Sequence, residues 1–78
     1  MQKWEYKFIE CISHLEDWYA AFENGEEIVH WKSGGNIATY SNTLGEQGWE
    51  MVNFTHCATG SPSDCRESLR LVFKRPRA

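Results

Sequence analysis

Lys3-Trp4-Glu5-Tyr6-Lys7-Phe8-Ile9-Glu10-Cys11-Ile12 is the stretch that decides the fold. Trp4, Tyr6 and Phe8 fall on one side of an extended chain, with Glu5 and Lys7 on the other. That two-residue period, in aromatic and β-branched residues, is the signature of a strand with one buried face. The expectation is that the ring-bearing side is covered, and the element to cover it lies farther on. Asn36 is a good helix N-cap. Ile37, Tyr40, Ser41 and Leu44 follow at helical spacing, and the helix runs to about Gln47. Gly48 suits the position just past a helix end, where a left-handed residue closes the last turn. Gly45 lies in the helix interior, where glycine costs roughly 1 kcal/mol relative to alanine; close packing of the last turn on a strand is the expected reason for it.

Outward from this pair, Trp49–Cys57 reads as a second strand, with Val52 and Phe54 toward one side. Ala58–Cys65, with Gly60, Ser61, Pro62 and Ser63, has loop chemistry. Residues 67–74 read as the last strand: Leu69, Leu71 and Phe73 point inward, and Arg70, Lys74 and Val72 point outward. Pro76 is expected to stop it, since proline cannot donate to a ladder. Residues 13–31 have two readings. Leu15, Trp18, Tyr19 and Phe22 share one helical stripe, and Ser13 with Glu16 forms a capping-box pattern. Asn24-Gly25 equally suits a two-residue hairpin turn, but Ala20-Ala21 and Glu26-Glu27 break the alternation on its flanks. The helix is the preferred reading. The expected fold is therefore α+β: a small antiparallel sheet of three to four strands with one main helix on one face (β-α-β-β), and a short helix or extended excursion over residues 13–35.

The 78 residues fit a single domain, 1–78. A chain this short buries only about 60% of the surface its unfolded form exposes. Eleven aromatic residues, four of them tryptophan, exceed what so small a core encloses. Exposed aromatics usually mark a contact site, so a homodimer or higher homo-oligomer is expected, with Trp18, Tyr19, Phe22 and Trp31 as candidate interface residues. No apolar run is long enough to cross a bilayer, and a secretory leader is not evident at the N-terminus. Cys11, Cys57 and Cys65 are too few and too irregular for a secreted disulfide framework. Reduced thiols in a cytoplasmic protein are the expectation, with a Cys57–Cys65 bridge open in an oxidising compartment.

The net charge of −3 is unevenly spread: residues 1–65 carry three cations against ten acidic groups, and residues 66–78 carry five against one. The basic end can serve nucleic acid or an acidic neighbour. With so few cations on an acidic chain, phosphate attraction is weak and easily screened. Self-pairing is the better reading.

Trp4-Glu5-Tyr6-Lys7, Leu44-Gly45-Glu46-Gln47-Gly48-Trp49-Glu50-Met51-Val52 and Val72-Phe73-Lys74-Arg75-Pro76 together resemble the domain-of-unknown-function family 4177, with its WEYK…LGxxGWE…FKRP pattern. The resemblance implies a strand, one helix and a β-hairpin. It implies no activity and offers no catalytic residues to carry over. Residues 13–35 depart from it, since many members have a shorter connection there. Structurally, Trp4 and Trp49 are expected to pack at opposite ends of the helix.

Few residues suggest chemistry. Cys11, His14, His56, Cys57 and Cys65 are acceptable zinc ligand types, but no CxxC pair exists, and His56 and Cys57 diverge in a strand. No metal or other cofactor is expected. Cys57 beside His56 lacks a group to orient the base, and acidic pairs such as Glu16-Asp17 and Glu26-Glu27 are ordinary solvated surface. A weak metal-site or hydrolase-like enzyme is the least favoured reading. Lys32-Ser33-Gly34-Gly35-Asn36 leads into a helix N-terminus, where free N–H groups favour an anion; a small anionic ligand or nucleotide near a subunit interface is the alternative to pure assembly. Tyr6 and Phe8 beside Arg70 and Lys74 are the ingredients of a single-strand nucleic-acid platform. If the helix covers those rings, that use is closed.

Overall fold

The computed structural model describes residues 1–59 and 66–77. In chain order they form β1 (Trp4–His14), β2 (Asp17–Glu23), β3 (Glu26–Glu27), a short 3-10 turn (Trp31–Ser33), α1 (Ile37–Glu46), β4 (Glu50–Thr59) and β5 (Arg66–Pro76). The strands make one antiparallel sheet in the order β3-β2-β1-β5-β4. The architecture is α+β with one main helix, as the sequence indicates, but with five strands.

The additional strands come from residues 13–31, where the preferred helix is replaced by two hairpins. Leu15 and Glu16 link β1 to β2 with φ of 51° and 66°, and Asn24 and Gly25 link β2 to β3 with φ of 51° and 85°. Two successive positive φ values define the hairpin turn that matches the twist of the strands. Asn24 locks its turn further: its Oδ1 accepts from the Phe8 N–H at 2.9 Å, and its own N–H donates to the Phe8 carbonyl at 2.8 Å. The helix-like spacing has a local cause. Pairing shifts between Glu10↔Phe22 and Cys11↔Ala20, so β2 carries one extra residue at a β-bulge. That insertion puts Tyr19 and Phe22, three apart, on the same side of a strand.

Helix α1 begins and ends as its sequence chemistry dictates. The Asn36 side chain accepts from the N–H groups of Ala38 and Thr39 at 3.1 and 3.2 Å. At the other end Gly48 has φ +90°, the Trp49 N–H donates to the Leu44 carbonyl and the Gly48 N–H to that of Gly45, both at 3.0 Å. This is the Schellman closure, and Leu44 and Trp49 add its usual apolar contact within the core. Gly45 has a different role from the expected one: a Cβ there would meet nothing within 4 Å, so close packing does not explain it.

The core is Ile9, Cys11, Ala20, Leu44, Trp49, Leu69, Leu71 and Phe73, with Trp18, Ile28, Ile37 and Tyr40 packed against it. Burying a side chain such as Ile9 or Phe73 stabilises by roughly 1.5–3 kcal/mol. This core corrects the central expectation from the sequence. The helix lies over the Ile9–Cys11 side of β1, not the Trp4–Tyr6–Phe8 side. Register is the reason. Cys11 pairs with Leu69, Ile9 with Leu71 and Lys7 with Phe73, and directly paired residues share a face. The three bulky inward residues of β5 therefore carry the odd positions of β1 under the helix. A one-residue phase difference turns every side chain to the other face.

Two smaller corrections follow. Trp4 is not at a helix end; only Trp49 is. Pro76 does not end the strand early, since it pairs with Trp4. The Arg77 N–H donates to the Lys3 carbonyl at 2.8 Å on the β1 side. By alternation the Pro76 nitrogen faces the β4 side, beyond the Glu50↔Lys74 pair where that ladder finishes, so no donor is missed. The β4 strand runs to Thr59, past the expected loop start. Gly60, Ser61, Pro62, Ser63 and Cys65 lie outside the described residues, and with them the Cys57–Cys65 question.

Candidate interaction surface

The charged residues on the helix side of β1 are held by a compact network. The Lys7 Nζ lies 3.0 Å from Glu23 Oε1 and 4.7 Å from the Trp49 ring centre. The Arg75 guanidinium sits 4.3 Å from the same ring centre, pairs with Glu5, and donates to the Gln47 carbonyl at 3.1 Å. Trp49 is thus contacted by two cations, each favourable through the ring quadrupole. Tyr40 donates its hydroxyl to Glu23. Burial alone would raise the Glu23 carboxyl, but the Tyr40 hydroxyl and Lys7 outweigh it and its pKa lies below the ordinary value. Tyr40 is pushed well up, first by burial and then by Glu23. These contacts tie α1 and its C-terminal cap to β1, β2 and β5.

Among the described residues the other side is uncovered along β1. Trp4 is 39% exposed, Tyr6 50% and Phe8 57%, with Ile12 beside them at 38%. Cross-strand pairing sets out the rows of this face: Glu50, Lys74 and Tyr6; Asn53, Val72 and Phe8; Thr55, Arg70, Glu10, Phe22 and Glu27. The Lys74 Nζ lies 4.2 Å from the Trp4 ring centre. At the hairpin end, the rings of His14, Tyr19 and Trp31 cluster with centres 6.1–6.2 Å apart. The face thus carries a continuous aromatic strip along β1, edged by both signs of charge. A sequence signal for it existed: Val72 shares the outward side of β5 with Arg70 and Lys74, and Phe8 is its direct partner.

The four candidate interface residues do not form one stripe. Trp18 turns to the helix side, packs on the core and meets the His56 ring edge-on at 5.8 Å. Tyr19 and Phe22 lie on the uncovered face, and Trp31 joins Tyr19. All four are half-buried.

The Lys32–Asn36 segment is brought together, and several of its donors are already used. Ser33 Oγ and the Ser33 N–H both donate to the His30 carbonyl at 3.0 Å, and the Gly34 N–H donates to that of Trp31 at 3.4 Å. Lys32 reaches back over the Trp31 ring at 5.4 Å. At Gly35, with φ +90°, a Cβ would lie 3.1 Å from the Thr39 methyl. Asn36 caps the helix and donates from Nδ2 to Asp17 Oδ2 at 2.9 Å. The Asn36 amide and the Trp18 N–H hold the Asp17 carboxyl below its usual pKa. An incoming anion would therefore meet a carboxylate and a filled cap. No pocket opens among the described residues.

Alternation splits the zinc-type residues between the two sides of the sheet, with His56 on the Cys11 side through their shared pairing partner Leu69. Cys11 is buried under the helix, whereas His14 faces the opposite side with Tyr19 and Trp31. Among the described residues no cluster of three His, Cys, Asp or Glu could hold a metal ion. Burial pushes the Cys11 thiol up to about 11, which keeps it protonated and unsuited to nucleophilic attack near neutrality. Among the described residues no helix is long and apolar enough to cross a membrane. No family model, curated protein or solved structure matches the chain.

Proposed function

We propose that this domain is a non-catalytic assembly module that pairs with a second copy by stacking the uncovered faces of two sheets. The exposed Trp4–Tyr6–Phe8 strip carries the reading. At roughly 150–250 Å² per aromatic side chain, the exposed parts of these three rings present about 300 Å². That is over a third of the ~800 Å² each partner buries in a standard interface. Val72, Ile12, Phe22 and the charged rim add to it. Stacked sheets sit about 10 Å apart with interleaved side chains, which suits a flat, ring-bearing face.

Charge favours a second copy over nucleic acid. Arg70 and Lys74 are accompanied on this face by Glu10, Glu27 and Glu50, and each cation lies directly across from an acid in the ladder: Arg70 from Glu10, and Lys74 from Glu50. A phosphate chain would meet little net attraction. Membership of family 4177 belongs to the same proposal, supported by the three sequence motifs. So does a cytoplasmic setting, in which Cys11 stays a free thiol. Light scattering at micromolar concentration tests the reading. The wild type is expected well above the 9.1 kDa chain mass, and Phe8→Lys is expected to lower it. A monomeric wild type refutes the proposal.

A further inference from the structure

One row of the uncovered face holds both signs of charge around an aromatic ring. Across the sheet from β4 to β3, direct pairing places Thr55, Arg70, Glu10, Phe22 and Glu27 in register. Arg70, Glu10 and Glu27 are exposed, and Phe22 is half-buried. The ion pairs Lys7–Glu23 and Arg75–Glu5 belong to the helix side, and among the described residues none engages Arg70, Glu10 or Glu27. The middle strand of the sheet is β1. Arg70 therefore stands one strand to one side of it, Phe22 one strand to the other side, and Glu27 one strand farther out.

We infer, resting on the stacking reading, that the second copy is related by a two-fold axis running along β1, so that Arg70 of each copy seats on Phe22 of the other, between Glu10 and Glu27. Aligned stacking of two sheets leaves the axis two directions, along the strands or across them. An axis along β1 lays β1 on β1 in the same sense and exchanges the two halves of the sheet, which carries β5 over β2 of the second copy. Trp4, Tyr6 and Phe8 then each meet their own counterpart, ring on ring. Arg70 comes over the Phe22 ring, a favourable cation–π contact, with the strands bearing Glu10 and Glu27 about 5 Å to either side. Glu10 meets Glu10 on the axis, but there it lies between the two Arg70 side chains. An axis across the strands lays β5 on β5 instead. Centred on Phe8 it brings Lys74 over Arg70, and centred on Tyr6 it brings Lys74 over Lys74. Cation meets cation in both, so charge selects the axis along β1.

Sedimentation equilibrium on Arg70→Gln, Glu27→Gln and the double variant tests it, with circular dichroism showing that each is folded. Within one chain Arg70 and Glu27 are three strands apart, about 14 Å, farther than the ~8 Å screening length at physiological salt. Coupling between them therefore comes from across the interface, where each pair of chains holds the contact twice. Glu27→Gln is expected to raise the dissociation constant about tenfold in the wild-type background, and by no more than about twofold beside Arg70→Gln. Equal effects in the two backgrounds, or no effect in the wild type, overturn the axis along β1, while stacking itself stands if Phe8→Lys dissociates the pair. A monomeric wild type overturns stacking and the inference together.

Discussion

Replacing Leu15-Glu16 by Asn-Gly should stabilise the protein. Both residues occupy the left-handed region, with φ of 51° and 66°, and for an L-residue with a full side chain that conformation costs about 1–2 kcal/mol. Neither recovers the cost elsewhere: Leu15 is 83% exposed and Glu16 is also on the surface. The chain supplies its own control nine residues on, where Asn24-Gly25 makes the same class of turn with the residues that tolerate it. Asparagine removes part of the penalty at the first position. Glycine removes it at the second, less roughly 0.5–1 kcal/mol of added unfolded-state entropy. The net gain is about 1–2 kcal/mol. At about 4–8 °C per kcal/mol for a domain of this size, Tm should rise by roughly 5–15 °C. Circular dichroism melts at one fixed protein concentration are the assay, because association itself shifts Tm. An unchanged or lowered Tm would refute the strain assigned to this turn.

Glycine and thiol positions give further expectations. Gly45→Ala should add about 0.5–1 kcal/mol, since its Cβ enters open space on a helix, whereas Gly48→Ala should cost roughly 1 kcal/mol, because φ +90° is strained for alanine; denaturant midpoints of the two variants should move in opposite directions. Cys11 titrates near 9.0 unfolded and at about 11 folded, so the folded state keeps the proton that the unfolded state loses. Its contribution is complete below pH 9 and disappears as pH rises through 11, a loss of about 2–3 kcal/mol at 1.36 kcal/mol per unit. Unfolding titrations at pH 8 and pH 11 should show it, and Cys11→Ala should flatten the decline; an equally steep decline in that variant would contradict the assignment.

What could be read from the sequence was what depends on near neighbours. Asn36 and Gly48 bracket α1 by local hydrogen bonding, and Leu69, Leu71 and Phe73 reveal the inward side of β5 by simple alternation. The phase of β1 was ambiguous because both of its sides are apolar, rings at 4, 6 and 8 and then Ile9 and Cys11. Pairing with a strand some sixty residues away settles it, and that contact has no local signature. Residues 13–23 mimic helical spacing because a bulge at Ala20-Ala21 adds one residue to the strand period. The same Ala20-Ala21 pair that spoke against a hairpin is the bulge itself. The interaction surface was legible only in kind: an excess of aromatics implied exposure, but which rings are exposed followed from the register.

The paired substitutions Ile9→Lys and Phe8→Lys, examined by circular dichroism on dilute protein, bear most directly on which side of β1 the helix covers. A lysine at position 9 would put an unpaired charge beneath α1, which costs far more than a small domain can absorb, so that variant should be unfolded, while the neighbouring lysine at position 8 projects into solvent and leaves a native spectrum. The opposite pattern, with position 8 intolerant and position 9 permissive, would place the rings under the helix and remove the surface on which the assembly rests.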